Sequence, residues 1–216
     1  MQLKNILVSK TIRFVRGHSL SGGFFLPDLS LFMKEKYRFV EVPTKLQEFD
    51  SVRGVKFLHG QYKDVIINAL EIYDNGLSVS TRVNTNYGDQ LIDEVLDDAI
   101  TKFGFEPENI PNLRKGYVST LEIKLDKDIS KPFKQFSDAY NIINKNLSQH
   151  SDGILPVSMN GFIIGCDLTQ CHHLKPQKFT LERRDEREFG ENLYFSTSPL
   201  PTDAHLEVIE SIEKNL

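Results

Sequence analysis

The feature that most limits what this chain can fold into is a unit that occurs twice: an alternating strand, a polar turn, then an amphipathic helix. The first copy runs Leu77-Ser78-Val79-Ser80-Thr81-Arg82-Val83 into a helix predicted from about Tyr87 to Phe103. The second runs Leu193-Tyr194-Phe195-Ser196-Thr197 into a helix predicted from about Thr202 to Leu216. Alternation gives a strand one apolar and one polar face, and apolar residues three and four apart give a helix one apolar stripe. Each unit must therefore press its helix onto a sheet. Both strands end in Ser-Thr, which hints at two similar halves, although strand-turn-helix units also recur in unrelated chains.

The segments around these units fill in an α+β chain. Lys10 to Val15 reads as a strand, Gly17, Gly22, Gly23 and Pro27 as a loop, and Asp28 to Met33 as a short helical turn. Tyr37 to Val42 reads as a strand stopped by Pro43, which has no amide hydrogen to give a ladder. Val65 to Tyr73 and Leu77 to Val83 form a hairpin about Asn75-Gly76, with Leu77, Val79, Thr81 and Val83 on its buried side and Ser78, Ser80 and Arg82 on its wet side. The helix that follows packs Leu91, Val95, Ala99 and Phe103, widened by Ile92, Leu96 and Ile100. Asp89, Asp93, Glu94, Asp97 and Asp98 form its solvated acidic face, and Gly104 ends it in the left-handed conformation.

Residues 106–115, with Pro107 and Pro111, read as a linker or long loop between an N-terminal half, 1–105, and a C-terminal half, 116–216. In the second half Tyr117 to Leu125 is a strand, and Ser130 caps a helix with a stripe of Phe133, Phe136, Tyr140, Ile143 and Leu147. Leu155 to Met159 and Phe162 to Leu168 read as a second hairpin about Asn160-Gly161, followed by strands at Lys178 to Arg184 and Leu193 to Thr197. The class predicted is α+β, with largely antiparallel sheet or sheets and helices packed on one side.

Composition excludes more than it selects. A chain of 216 residues with 39% hydrophobic residues, 15 Phe and 7 Tyr buries a real core without staples. Its net charge of -4 exerts no global pull on nucleic acid or anionic membrane. Two cysteines are too few for a disulfide framework. The chain has no apolar run approaching about 18 residues, and its first residues lack the apolar stretch of a secretion signal, so a bacterial-type cytoplasmic protein without membrane contact is expected.

The densest group of metal-type ligands is Cys166-x4-Cys171-His172-His173. Zinc wants four ligands around a tetrahedron, and three adjacent ones diverge, so Cys166 is expected in the core and the histidines in a surface loop. Glu122-Ile123-Lys124 matches the Glu-x-Lys half of restriction-type nuclease sites, which also need an upstream aspartate, Asp74 or Asp64, to hold magnesium. That tripeptide is common in soluble strands. Arg13, Arg16 and His18 beside a glycine-rich stretch form a small basic segment suited to interaction, and Arg183, Arg184 and Arg187 form a second one, able to grip carboxylates or phosphates. No nucleophile elbow, phosphate-binding loop or dinucleotide fingerprint occurs.

The function expected is therefore a non-enzymatic cytoplasmic protein that acts through protein contacts, as a homodimer or other homo-oligomer or as a subunit of a complex, with no cofactor. The alternatives are a metal-dependent hydrolase or nuclease, using Glu122, Lys124 and Asp74 or the Cys166, Cys171, His172, His173 cluster, and a nucleic-acid-binding accessory protein.

Overall fold

Alternation in the sequence becomes an antiparallel sheet of eight strands. The computed structural model describes residues 1–15, 26–105, 107, 114–150, 157–170 and 175–216. In chain order the elements are β1 (Gln2–Phe14), α1 (Leu26–Tyr37), β2 (Val55–Tyr62), β3 (Val65–Tyr73), β4 (Gly76–Thr81), α2 (Thr85–Phe103), β5 (Arg114–Lys124), α3 (Ser137–Leu147), β6 (Gly161–Ile164), β7 (Phe179–Arg183), β8 (Leu193–Ser198) and α4 (Thr202–Asn215). A 3-10 turn, Lys131–Phe136, leads into α3.

The strands lie in the order β2-β3-β4-β1-β5-β8-β7-β6. Exchanging β1–β4 for β5–β8 leaves that order unchanged, and each set follows one plan: strand, helix, three strands, helix. The echo of β4-α2 in β8-α4 is thus the end of a longer repeat.

The chain forms two compact units, and it crosses between them within β1, β5, β8 and α4. The larger unit is Ile6–Thr120 with Ser198–His205. There β1 pairs with β4 from Ser9↔Thr81 to Phe14↔Gly76, and β4 pairs with β3 from Ser80↔Ala69 to Gly76↔Tyr73. Gly76 is required by close approach, since a Cβ at that position would sit 2.3 Å from the Arg13 carbonyl oxygen. Leu70, Ile72, Leu77, Val79, Val55 and Phe57 from the sheet meet Leu29, Met33 and Tyr37 of α1 and Leu91, Ile92, Val95 and Leu96 of α2 in one apolar core. Asn84 caps α2 by accepting the Asn86 amide at 2.9 Å, and Gly104, at φ +65°, closes it.

The smaller unit is Met1–Asn5, Leu121–Thr197 and Leu206–Leu216. Its buried apolar residues are Leu121, Ile123, Leu125, Ile129, Phe179, Leu181, Tyr194 and Ile209. β6 pairs with β7 from Gly161↔Glu182 to Ile164↔Phe179, and β7 with β8 from Thr180↔Thr197 to Arg183↔Tyr194.

Several local expectations are corrected. The helical turn at 28–33 is a full helix that runs to Tyr37, because Tyr37 continues the buried series Leu29, Met33. The strand expected over 37–42 shrinks to one bridge, Glu41↔Leu58. β2 was not anticipated from the sequence. Residues 157–160 form no strand, so β6 takes β7 as partner instead of a hairpin about Asn160-Gly161; residues 155–156 lie outside the described residues. Ser130 makes no side-chain cap to the 3-10 turn.

Two threonines fix the start of both repeated helices. The Thr85 amide donates to Thr202 Oγ1 at 3.1 Å, and the Thr202 amide donates to Thr85 Oγ1 at 3.0 Å. Each amide is one of the donors that a helix N-terminus leaves without an intrahelical partner. Both residues are buried, so water cannot replace the bond. Thr202→Val keeps the shape and removes the acceptor for the Thr85 amide. It should lower the free energy of unfolding in urea by about 1–2 kcal/mol, whereas Thr101→Val on the exposed side of α2 should change it by less than about 0.5 kcal/mol.

Candidate functional site

Polar side chains collect on the helix-covered side of β1 and β5 in the larger unit. Ser9, Thr11, Thr81, Thr85, Ser119, Ser198, Thr202 and His205 are all buried there. Thr11 donates its hydroxyl to the Thr85 carbonyl at 3.2 Å. Ser119 Oγ lies 2.6 Å from His205 Nδ1 and 3.2 Å from the Leu200 carbonyl oxygen. If the serine hydroxyl is donated to that carbonyl, the imidazole carries its proton on Nδ1. Burial pushes the His205 pKa down to about 4, so the ring is neutral at pH 7. Sequence reading missed this Ser-His pair because 86 residues separate its members. Both groups are buried.

The acidic side of α2 is bound up in ion pairs rather than simply solvated. Arg13 Nη2 donates to Asp89 at 3.1 Å and to Asp93 at 2.7 Å, while Lys115 and the Tyr117 hydroxyl also reach Asp89, each at 2.9 Å. Burial, helped by the hydrogen bond to Asp89, pushes the Tyr117 phenol up to about 12. Farther along, Lys36 bridges Glu94 and Asp98, and Lys102 also pairs with Asp98. The Asp98 carboxyl is held low: burial would raise it, but the two lysines outweigh that.

Of the basic residues singled out in the sequence, Arg13 is a buried member of that network, and Arg16 and His18 lie outside the described residues. In the smaller unit Arg183 is buried, paired with Asp128 at 2.5 Å, donating to the Phe189 carbonyl at 2.8 Å, and stacked over Phe189 and Tyr194. Arg184 pairs with Glu122 and lies over Phe195. Arg187 is exposed and reaches Glu191 only at 3.9 Å. The arginines that looked like a gripping patch therefore include one whose guanidinium is already engaged on several sides.

The nuclease residues are distributed in the same way. Glu122 is buried against Arg184, Lys124 points to solvent from β5, and Asp74 sits in the β3-β4 turn, accepting from Ser51. Cys166 is exposed beyond the end of β6, not in the core as expected, while Cys171, His172 and His173 lie outside the described residues. Among the described residues no three His, Cys, Asp or Glu side chains converge so as to hold a metal ion, and no helix is long and apolar enough to cross a membrane.

What the sequence marked as core and the structure leaves open is α3. Phe136, Ile143 and Leu147, spaced for one stripe, are 43–45% exposed, and no residue of the helix is buried. Tyr140 Oη and Asn144 Oδ1 on the same arc are shielded from solvent and have no hydrogen-bond partner among the described residues. In the same unit Pro132 and Phe133, just before α3, share an open groove of about 320 Å³ with Phe162 of β6 and with Ile212 and Leu216 near the end of α4. Ile163 and Ile164 of β6 are more than half exposed. Sequence reading found the stripe but not its exposure.

No protein-family model matches the chain, and no curated protein matches it in sequence.

Two stability measurements check this placement of charges. His205 has a folded pKa below its unfolded value of about 6.5, so between pH 6.5 and 4 the unfolded chain binds the extra proton. The stability linked to His205 is present above about pH 6.5 and is lost as pH falls toward 4, by roughly 3 kcal/mol in all. His205→Gln should flatten that slope in urea titrations at successive pH values. Arg13→Ala should cost roughly 2–4 kcal/mol, by leaving Asp89 and Asp93 without their shared cation, while Arg187→Ala should change stability by less than about 0.5 kcal/mol.

Proposed function

We propose that this chain is a non-enzymatic protein that works through protein contacts, as a homo-oligomer or as a subunit of a complex, and that α3 carries the contact. The observation behind it is the helix itself. An amphipathic helix gains its stability from burying its apolar stripe, yet α3 buries none of its residues within the chain. Scattered exposed apolar residues are ordinary on a protein surface. Phe136, Ile143 and Leu147 form an exposed apolar stripe, and the same unit also exposes Ile163 and Ile164 and an apolar groove at Phe133 and Phe162; exposed apolar surface of this kind marks interaction sites.

The charged groups support the same reading by their engagement. Arg13, Arg183 and Arg184 are held by Asp89, Asp93, Asp128 and Glu122, so these arginines stabilise the fold instead of presenting free cations to phosphate. Self-association or a protein partner fits such a surface better than nucleic acid does.

The test compares the apparent mass of the purified chain by light scattering with its elution size in extracts of its own cells. We expect a species above the 24.8 kDa of one chain in at least the extract, and a shift to one chain in Ile143→Asp/Leu147→Asp, with an unchanged far-UV spectrum. A single chain in both preparations at high concentration would overturn the proposal.

A further inference from the structure

We infer that the partner at this surface is a second copy of the chain, joined through β6 of each copy paired antiparallel across a two-fold axis. This rests on the protein-contact function proposed above and adds the occupant and the geometry. The two edges of the sheet are topological counterparts, β2 and β6, and they are finished differently. Along β2 the outer ladder is partly filled: Leu58 exchanges backbone bonds with Glu41 at 2.9 and 3.2 Å, and Val40 donates to the His59 carbonyl at 3.3 Å. His59 takes a positive φ of 56°, and Lys56, His59 and Gln61 point outward. Charges, irregular backbone and a covering segment are how sheet edges are kept from pairing with other chains.

β6 has none of these devices among the described residues. Gly161-Phe162-Ile163-Ile164 holds no charge and no proline, pairs with β7 on one side only, and exposes both isoleucines. An uncharged strand can lie antiparallel to itself without placing like charges opposite each other, so its own sequence is a fitting partner. The α3 stripe has the same character. The residues that border it, Ser137, Ala139, Asn144 and Asn146, are all uncharged, so two copies approach without repulsion. Phe162 shares its groove with Pro132 and Phe133, which lead into α3. A two-fold operation sets the same edge of each copy opposite the other.

The test measures mass against concentration for the full chain and two single variants. Ile163→Lys puts a charge on β6 where the side chain is already exposed, and Gln61→Lys puts one on the opposite edge. Expected are a species of twice 24.8 kDa for the unaltered chain, the same for Gln61→Lys, and for Ile163→Lys a dissociation constant raised on the order of a hundredfold, with thermal unfolding of the dilute monomer unchanged. A dimer that survives Ile163→Lys but is lost in Ile143→Asp/Leu147→Asp would overturn pairing through β6 while leaving the protein-contact function standing. A single chain as purified, together with a larger species in the cell extract, would overturn the second copy as partner and leave a different protein in its place.

Discussion

The Thr85-Thr202 pair is the contact on which the rest of this architecture depends. Two helices begin at one place, each with an amide that its own turn cannot satisfy, and each amide is taken by the other helix's first side chain. Around it Asn84 and Asn86 donate to Asp203 at 2.6 and 3.1 Å, which extends the exchange to the rim. An unpaired amide in that position would cost more than the bond itself contributes, because the site is closed to water. The third residue after each threonine shows how one plan accommodates two solutions. At Gly88 a Cβ would fall 2.5 Å from Thr11 Oγ1, so the strand's hydroxyl occupies the space a side chain would need. At His205 the side chain is large, and Ser119 on β5 meets its imidazole at 2.6 Å. The repeat is kept in the backbone while its packing has diverged.

A polar seam of this kind has consequences for where charge can go. With serine and threonine on the covered side of β1, Arg13 at the end of the series Ser9, Thr11, Arg13 also points toward α2, and it is tolerated because Asp89 and Asp93 stand one turn apart on that helix. The acidic row on α2 therefore balances buried and half-buried cations, and its composition needs no metal or ligand to explain it. The same logic holds in the smaller unit, where Arg183 meets Asp128, two backbone carbonyls and two aromatic rings.

Legibility in the sequence followed the range of the physical signal. Elements set by short-range pattern were readable: the stripe of α2, the glycine at 104 and the strands β7 and β8 all stand where periodicity put them, whereas the wet face expected for β4 is covered, with Ser78 buried and donating to Glu71. What depended on partners far along the chain was not. Tyr37 reads equally well as the start of a strand or the end of a helix until Met33 and Leu29 are seen buried beneath it. Asn160-Gly161 has the composition of a hairpin turn, yet β6 pairs with β7, for which no local residue gives a cue. The candidate binding residues were legible by type and not by role: an arginine in a sequence is a free cation, and only coordinates place Asp89 or Asp128 beside it. Ser119 and His205 could not have been joined by any spacing rule.

The most telling contrast lies between counterparts in the repeat. α1 and α3 each follow the first strand of their set, and both carry an apolar stripe. α1 spends Leu29, Met33 and Tyr37 on the core of its unit, against a β2 of eight residues. α3 is followed in the chain by a β6 of only four residues and buries none of its own. A shortened outer strand offers a helix too little sheet to cover, which accounts for the stripe being left open. It does not account for the stripe persisting. Solvent-facing positions on a helix accept Lys, Glu or Gln at no cost in helix propensity, and those residues would protect the chain from aggregation through an uncharged strand edge. The contrast between a charged edge and an uncharged one is the observation on which the proposed contact through β6 rests.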